Sequence, residues 1–336
     1  MASTELRMRT VANVEPRLRE SLPDCVLPEF LRQTAWRDAS IEPLAGDAST
    51  RKYFRLRNHS GTAVMMDARR NLESIPPFLQ IADHLVRLRF SAPIILAQDP
   101  VRGFLLLEDF GDATFAALLK SGSPAAPFFE LGTDVLIALH RESSPVPPGL
   151  RHYDAERMLL DLELFLEWCA PKLSQDAQAE FRAAWRSVLP MAHAVPSTLL
   201  LRDYHIGNLM LLARRKGIRR AGLLDFQDAY QGPVTYDLMS LLEDARHEVP
   251  DALRQAMIER YLAGIPAMDL EAFGTSLAVV AAQRHTRVLA IFERLHANGR
   301  PEYRELHSPR VERMLHRALK HPRLRPVRRW MERHAA

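Results

Sequence analysis

The chain has 336 residues, of which 47% are hydrophobic and 26% charged, with a net charge of +4 at neutral pH. That length allows about two domains, and the balance is ordinary for a soluble globular protein. Cys25 and Cys169 are too few and too isolated for a disulfide framework or a zinc site, residues 1–20 lack the apolar core of a signal peptide, and no apolar run approaches a membrane span, so a cytoplasmic protein without a membrane partner is expected.

The first structured segment is β-rich. Ile41 to Leu44 and Lys52 to Leu56 are candidate strands joined by Ala45-Gly46-Asp47-Ala48-Ser49-Thr50, and Asn58-His59-Ser60-Gly61 turns the chain into a third strand, Thr62 to Met66. Pro76-Pro77 opens a helix expected to run to Phe90, with Phe78, Ile81, Leu85 and Leu88 on one stripe. Ile94 to Ala97 and Gly103 to Leu107 read as two more strands. Glu108-Asp109-Phe110-Gly111-Asp112 follows, where polarity jumps and a glycine permits an irregular backbone, and an inter-lobe hinge is expected there. Helical spacing then dominates, over 114–120, 128–141, 155–170, 177–188, 236–246, 251–263, 270–297 and 303–320. Strands first and helices afterwards is the α+β pattern. It implies an N-lobe over 28–109, a mainly helical C-lobe over 110–320, and a basic tail over 321–336. Arg323, Arg325, Arg328, Arg329 and Arg333 make that tail cationic. It reads as a solvated or packed end rather than a nucleic-acid site, because aromatic residues are not interleaved through it.

The most informative stretch is Leu-Leu-Leu-Arg-Asp-Tyr-His-Ile-Gly-Asn-Leu-Met-Leu-Leu (199–212), followed by Leu-Leu-Asp-Phe-Gln-Asp (223–228). It offers a loop carboxylate, Asp203, an amide, Asn208, and a second carboxylate, Asp225, beyond a polar turn flanked by apolar residues. Folding about the junction of Lys216 and Gly217 sets Asn208 across from Asp225, with a bulge able to shift the register by one residue. Both side chains suit Mg²⁺, a hard cation that takes oxygen ligands and keeps waters for phosphate to replace. Asp203 is then placed to receive a proton from an attacking hydroxyl, the equipment of phosphoryl transfer.

Residues 201–208 resemble the catalytic loop of the protein-kinase-like and aminoglycoside phosphotransferase superfamily. Asp225-Phe226-Gln227 resembles its Asp-Phe-Gly metal motif, with Gln replacing Gly. More narrowly, 47–56, 65–68, 106–112 and 223–238 are similar to the bacterial anomeric sugar kinases, over about residues 28 to 320. The resemblance implies a two-lobe kinase-like fold, ATP and Mg²⁺ as cofactors, and phosphorylation of N-acetylmuramate and N-acetylglucosamine at the anomeric hydroxyl during cell-wall recycling. It implies Asp203 as catalytic base and Asn208 and Asp225 as metal ligands. Nucleotide contacts fall to Ser49, Thr50 and Arg51 in the first strand connection and to the backbone near Glu108.

One departure stands out: Thr62 to Asp67 has no lysine where such kinases hold the α- and β-phosphates, leaving Arg51, Lys52 or Arg69 as substitutes. For the acceptor, Asp228 lies just past the metal carboxylate. Glu163 sits in a mostly apolar stretch where an unpaired carboxylate is costly, so a sugar partner is one reading. Tyr204 and His205 either line the acceptor pocket or pack. Asp237 reads as an anchor for the catalytic loop or a cap of its own helix, and Arg202 as a partner of acidic groups that fix the loop or a plain surface residue. Arg284 and Arg287 are the available cations for an acceptor carboxylate. A monomer acting on a small molecule is expected. The rival readings are a kinase of an aminoglycoside, choline or amino-alcohol, a catalytically inactive kinase fold, and binding of nucleic acid through the tail.

Overall fold

A computed structural model describes residues 26–44 and 51–334. The chain divides into two compact units, the first comprising residues up to 72 together with 95–109, the second 73–94 and 110 onward. The helix after Pro76-Pro77 therefore belongs by its contacts to the second unit, although it lies inside the span 28–109.

In the first unit a short helix α1 (Val26–Arg32) precedes β1 (Ser40–Leu44), β2 (Lys52–Asn58) and β3 (Gly61–Asp67). After α2 (Ile75–Arg87), which joins the second unit, β4 (Ile95–Asp99) and β5 (Phe104–Glu108) complete an antiparallel sheet in the order β1-β2-β3-β5-β4. Alternation along the strands puts Phe54, Leu56, Ala63, Met65, Phe104 and Leu106 into one core with Phe30 and Leu31 of α1. Arg55 is buried beside this core in a bidentate pair with Asp109, Nε to Oδ2 2.7 Å and Nη2 to Oδ1 3.1 Å. The tie fixes the strand β2 to the residue that follows β5. Gly103 has φ +84°, and an added Cβ would lie 2.8 Å from Leu72, so only glycine fits the turn into β5.

The second unit adds α3 (Phe115–Lys120), α4 (Ala126–His140), α5 (Ala155–Trp168), α6 (Gln175–Val188), β6 (Ser197–Leu200), β7 (Leu209–Leu211), β8 (Ala221–Leu223), β9 (Tyr230–Pro233), α7 (Thr235–Leu242), α8 (Asp251–Gly264), α9 (Leu270–Ala297), α10 (Glu302–Leu319) and α11 (Arg325–His334). Side-chain caps start the long helices: Asp154 accepts from Arg157 N, Ser174 from Ala177 N, and Asp269 from Glu271 N and Ala272 N. The α9 helix forms over the range its periodicity predicts and packs against α5, α7 and α10. Two short antiparallel ribbons, β6–β9 and β7–β8, carry the polar loops. The expected helix 236–246 stops at Leu242, because Glu243 leaves helical geometry to meet His285, Arg254 and Arg317. The α+β class expected from sequence holds.

Of the two readings of residues 321–336, a solvated or a packed end, the described residues take the packed one. A 3₁₀ turn (Pro322–Leu324) leads into α11, which buries Val327, Trp330 and Met331. Trp330 is 1% exposed, donates from Nε1 to the Ala177 carbonyl at 2.9 Å, and meets Phe181 and Phe165 edge-on. Among the described residues, no helix is long and apolar enough to cross a membrane. Removing a large, fully buried aromatic costs about 3–5 kcal/mol through lost burial and the cavity left behind. Trp330→Ala is therefore expected to lower the free energy of urea unfolding by about that amount, whereas Arg329→Ala, a surface change on the same helix, shifts it by less than about 0.5 kcal/mol.

Candidate active site

The loop between β6 and β7 is held from beneath. Asp237, fully buried in the first turn of α7, accepts hydrogen bonds from the backbone nitrogens of Leu201 at 2.6 Å and Arg202 at 3.0 Å. Arg202 turns the chain with φ +66° and sends its guanidinium inward, where Nη2 donates to Asp161 Oδ2 at 2.9 Å. Its guanidinium carbon sits 4.6 Å from the centre of the Tyr153 ring and 5.0 Å from that of Tyr230. Asp161 also meets Arg157 and Arg287 and accepts from the Tyr153 hydroxyl at 2.9 Å. Burial would raise the Asp161 carboxyl, but Arg287 and Arg202 hold it below the usual range. Arg202 is thus a buried support, not a surface arginine.

Asp203, the next residue, is half-buried, and among the described residues its carboxylate accepts no hydrogen bond. Its backbone N–H is spent on Leu201 O at 2.8 Å. Asn208 closes the loop by donating from Nδ2 to the Asp203 carbonyl at 2.9 Å, which leaves its side-chain oxygen for a ligand. β7 pairs with β8 so that Leu209 faces Leu223, and the Leu224 N–H donates to Asn208 O at 3.1 Å. Asn208 therefore stands opposite Leu224, and Asp225 comes one residue later than a turn between Lys216 and Gly217 implies. Asp225 adopts φ +58°, a left-handed conformation that asparagine and aspartate tolerate better than most residues and that breaks the strand at this point. Arg202 and Asp225 are two of the three non-glycine residues at positive φ among those described, and such conformations gather at functional sites.

Phe226, fully buried, stacks on Phe78 of α2 at 5.1 Å. Gln227 reaches back, its Nε2 donating to Asp225 Oδ1 at 3.1 Å and to Asp228 Oδ2 at 3.3 Å. A glycine at this place offers no such brace. Close packing also fixes the ribbon: a Cβ on Gly222 would lie 2.7 Å from the Phe110 ring.

The remaining predicted residues divide. Tyr204 is only 2% exposed and donates its hydroxyl to Gly132 O at 2.7 Å, so it belongs to the loop's support and has no group left for an acceptor. His205 lies inside the loop, its Nδ1 3.1 Å from Gly207 N and its Nε2 3.2 Å from Asn208 Nδ2; burial keeps it below the usual histidine range, with Asp244 pulling the other way. Glu163 has a protein partner, a bidentate pair with Arg182 at 2.8 and 2.7 Å. Asp228 is exposed. In the first unit Arg51 is buried ahead of β2, Glu108 ends β5 opposite Ala63, and Arg69 is committed to Asp67 at 2.7 Å. Ser49 and Thr50 lie outside the described residues.

Sequence alone did not single out Asp161, Tyr153 or the Arg55–Asp109 pair. Their spacing along the chain carries no motif; only the fold brings them to their partners.

The phosphotransferase enzyme family model matches residues 40–271. The chain belongs to that family. A relative from Caulobacter vibrioides described as N-acetylmuramate/N-acetylglucosamine kinase is 33% identical, covering 91% of this chain and 94% of the relative. By fold, this phosphotransferase is similar to the GDP and kanamycin complex of APH(2″)-IIIa, with a TM-score of 0.61 and 12% identity over 88% of this chain and 97% of the other. It is also similar to the streptomycin–ATP ternary complex of APH(2″)-IIa, with a TM-score of 0.54 and 14% identity over 82% and 91%.

Burial pushes the Asp237 carboxyl up from 3.8 to about 7, against the pull of the two N–H donors, with Asp203 adding to the rise and Arg284 opposing it. A carboxyl whose folded value is raised contributes stability that is present below its unfolded value and is lost as pH climbs toward the folded one. The two N–H bonds, in contrast, are stronger to the ionised form. Between about pH 4 and 7 the contribution of Asp237 to stability is therefore expected to fall, against the opposite trend from buried histidines such as His140, while kcat rises. Asp237→Asn, which cannot ionise and offers one acceptor oxygen, is expected to flatten both slopes and to lower kcat at least tenfold, read from urea unfolding and turnover across that range.

Proposed function

We propose that this phosphotransferase moves the γ-phosphoryl group of ATP to the anomeric hydroxyl of N-acetylmuramate and N-acetylglucosamine, serving cell-wall recycling. The observation that carries the reading is Asp203, a half-buried carboxylate without a hydrogen bond among the described residues, on a loop whose neighbours are all committed. The Caulobacter relative, bearing the name of this activity over nearly the whole chain, supports the sugar acceptor. The ATP complex among the structural neighbours supports the nucleotide.

Phosphoryl transfer asks a protein for alignment and charge stabilisation more than for covalent chemistry. Asp203 accepts the proton of the anomeric hydroxyl as its oxygen bonds to phosphorus and the bond to the β-phosphate oxygen breaks, releasing ADP. An anomeric hydroxyl is more acidic than other sugar hydroxyls, so a carboxylate is an adequate base. Asn208, through its free side-chain oxygen, and Asp225, held by Gln227, would hold Mg²⁺. No group of three or more His, Cys, Asp or Glu side chains able to hold a metal occurs among the described residues, and a site of one amide and one carboxylate suits an ion that completes its shell with water and phosphate. Bound there, Mg²⁺ supplies charge neutralisation at the terminal phosphates. We assign nucleotide contacts to Ser49, Thr50, Arg51 and Glu108, and an acceptor hydroxyl to Asp228.

A polycationic acceptor needs spare carboxylates. Here Asp161 is met by three arginines, Glu163 by Arg182, and Asp134 by Arg260. That commitment argues against an aminoglycoside.

With Mg-ATP, ADP release is expected with N-acetylmuramate and N-acetylglucosamine and not with kanamycin or choline, and the product phosphate should sit at C1 by ³¹P–¹H correlation. Asp203→Ala is expected to lower kcat about 10²–10⁴-fold, the usual worth of a positioned base, with its urea midpoint near that of the parent. Turnover confined to kanamycin or choline defeats the sugar assignment.

A further inference from the structure

Arg284 lies on α9 with 8% of its surface exposed, and its Nη1 is buried without a hydrogen-bond partner. Neither a hydrogen bond nor an ion pair is made by this side chain among the described residues. The other buried arginines of this unit are committed differently: Arg202 is paired with Asp161, and the partly buried Arg254 with Glu243. A guanidinium shielded from water without a hydrogen-bonded anion is costly, and such charges are ordinarily retained in company with a partner.

The surroundings say where that partner enters. α9 packs on α7, the helix whose Asp237 carries the catalytic loop, and on α5. About two turns before Arg284, Ser276 and Thr235 tie the two helices at 2.7 Å, and His285, the next residue, is bonded to Glu243 just past α7 at 2.6 Å. Asp237 feels the Arg284 charge, but its hydrogen bonds come from the backbone nitrogens of Leu201 and Arg202 and it makes none with Arg284. Glu243 is likewise surrounded by His285, Arg254 and Arg317. Asp203 and Arg284 act electrostatically on the same two neighbours, Asp237 and His205, which sets the unpartnered cation and the unpartnered carboxylate around one small region.

We infer that Arg284 is the specificity-determining cation of the acceptor site, receiving a carboxylate carried by the sugar while Asp203 faces the hydroxyl that is phosphorylated. The inference rests on the sugar-kinase reading above and deepens it. N-acetylmuramate bears a lactyl carboxylate and N-acetylglucosamine does not, so Arg284 separates the two acceptors. A planar guanidinium suits this role better than an ammonium, because it meets both carboxylate oxygens at once. Arg287, already 3.5 Å from Asp161, is not left for the task.

A charge-assisted hydrogen bond of this kind contributes about 1.5–3 kcal/mol, which is a factor of roughly 10 to 150 in affinity. Arg284→Met is therefore expected to lower the ratio of kcat/KM for N-acetylmuramate over N-acetylglucosamine at least tenfold, mainly through KM, and Arg284→Lys should restore part of it. Turnover of N-acetylglucosamine reports that the variants fold. An equal loss with both sugars, or an unchanged ratio, overturns the inference and makes Arg284 a structural residue. If the parent phosphorylates neither sugar, the functional reading fails by itself. Calorimetric binding of N-acetylmuramate and N-acetylglucosamine to parent and Arg284→Met then decides the cation separately: selective loss of N-acetylmuramate binding supports it, and binding that is equal in both proteins, or absent from both, overturns it.

Discussion

The loop between β6 and β7 hangs on one buried carboxylate. Asp237 takes the backbone nitrogens of Leu201 and Arg202, two donors that the end of β6 leaves without a strand partner. A buried N–H without an acceptor costs as much as a lost hydrogen bond, so the carboxylate and the loop depend on each other. With its backbone fixed there, Arg202 is driven inward to Asp161, and the following residue, Asp203, is turned out with its carboxylate unspent. The half-exposed carboxylate follows from the burial of its neighbours.

The same division runs through the rest of the site. Groups that shape it are paired with protein: Tyr204 with Gly132, Asn208 Nδ2 with Asp203 O, Gln227 with Asp225. Groups that make no hydrogen bond to protein among the described residues include the Asp203 carboxylate, the Asn208 side-chain oxygen and the Arg284 Nη1. A hydroxyl to be deprotonated, a hard cation and an anionic substituent are the chemical complements of those three. The replacement of glycine by Gln227 after Asp225-Phe226 fits this division, because a neighbouring donor limits the rotation of the Asp225 carboxylate.

Much of this was legible in the chain. Apolar spacing located α9 to the residue and the other long helices to within a few residues, since their faces are buried along their whole length. The hairpin β7–β8 was found from its polar turn, but its register came out one residue away, and only the left-handed bend at Asp225 accommodates the difference. The ribbon β6–β9 went unseen. Its strands are short, contain Pro233 and Gly232, and pair across an interval that includes the whole catalytic hairpin. The early end of α7 was hidden for a similar reason: Glu243 leaves the helix to meet groups on α8, α9 and α10.

By itself the sequence determined the class of fold and the phosphotransferase family and singled out Asp203, Asn208 and Asp225 as candidates, because local periodicity and a contiguous polar motif are properties of neighbours along the chain. Tertiary structure alone decided which polar side chains are consumed. Glu163 looked available in an apolar stretch until α6 brought Arg182 to it, and Tyr204 looked like a pocket residue until α4 offered the Gly132 carbonyl. Arg284 could be named in advance only as one of two cations on a long helix. Whether a charge has a partner depends on residues tens of positions away, and burial, which sets the cost of lacking one, exists only once the chain is folded.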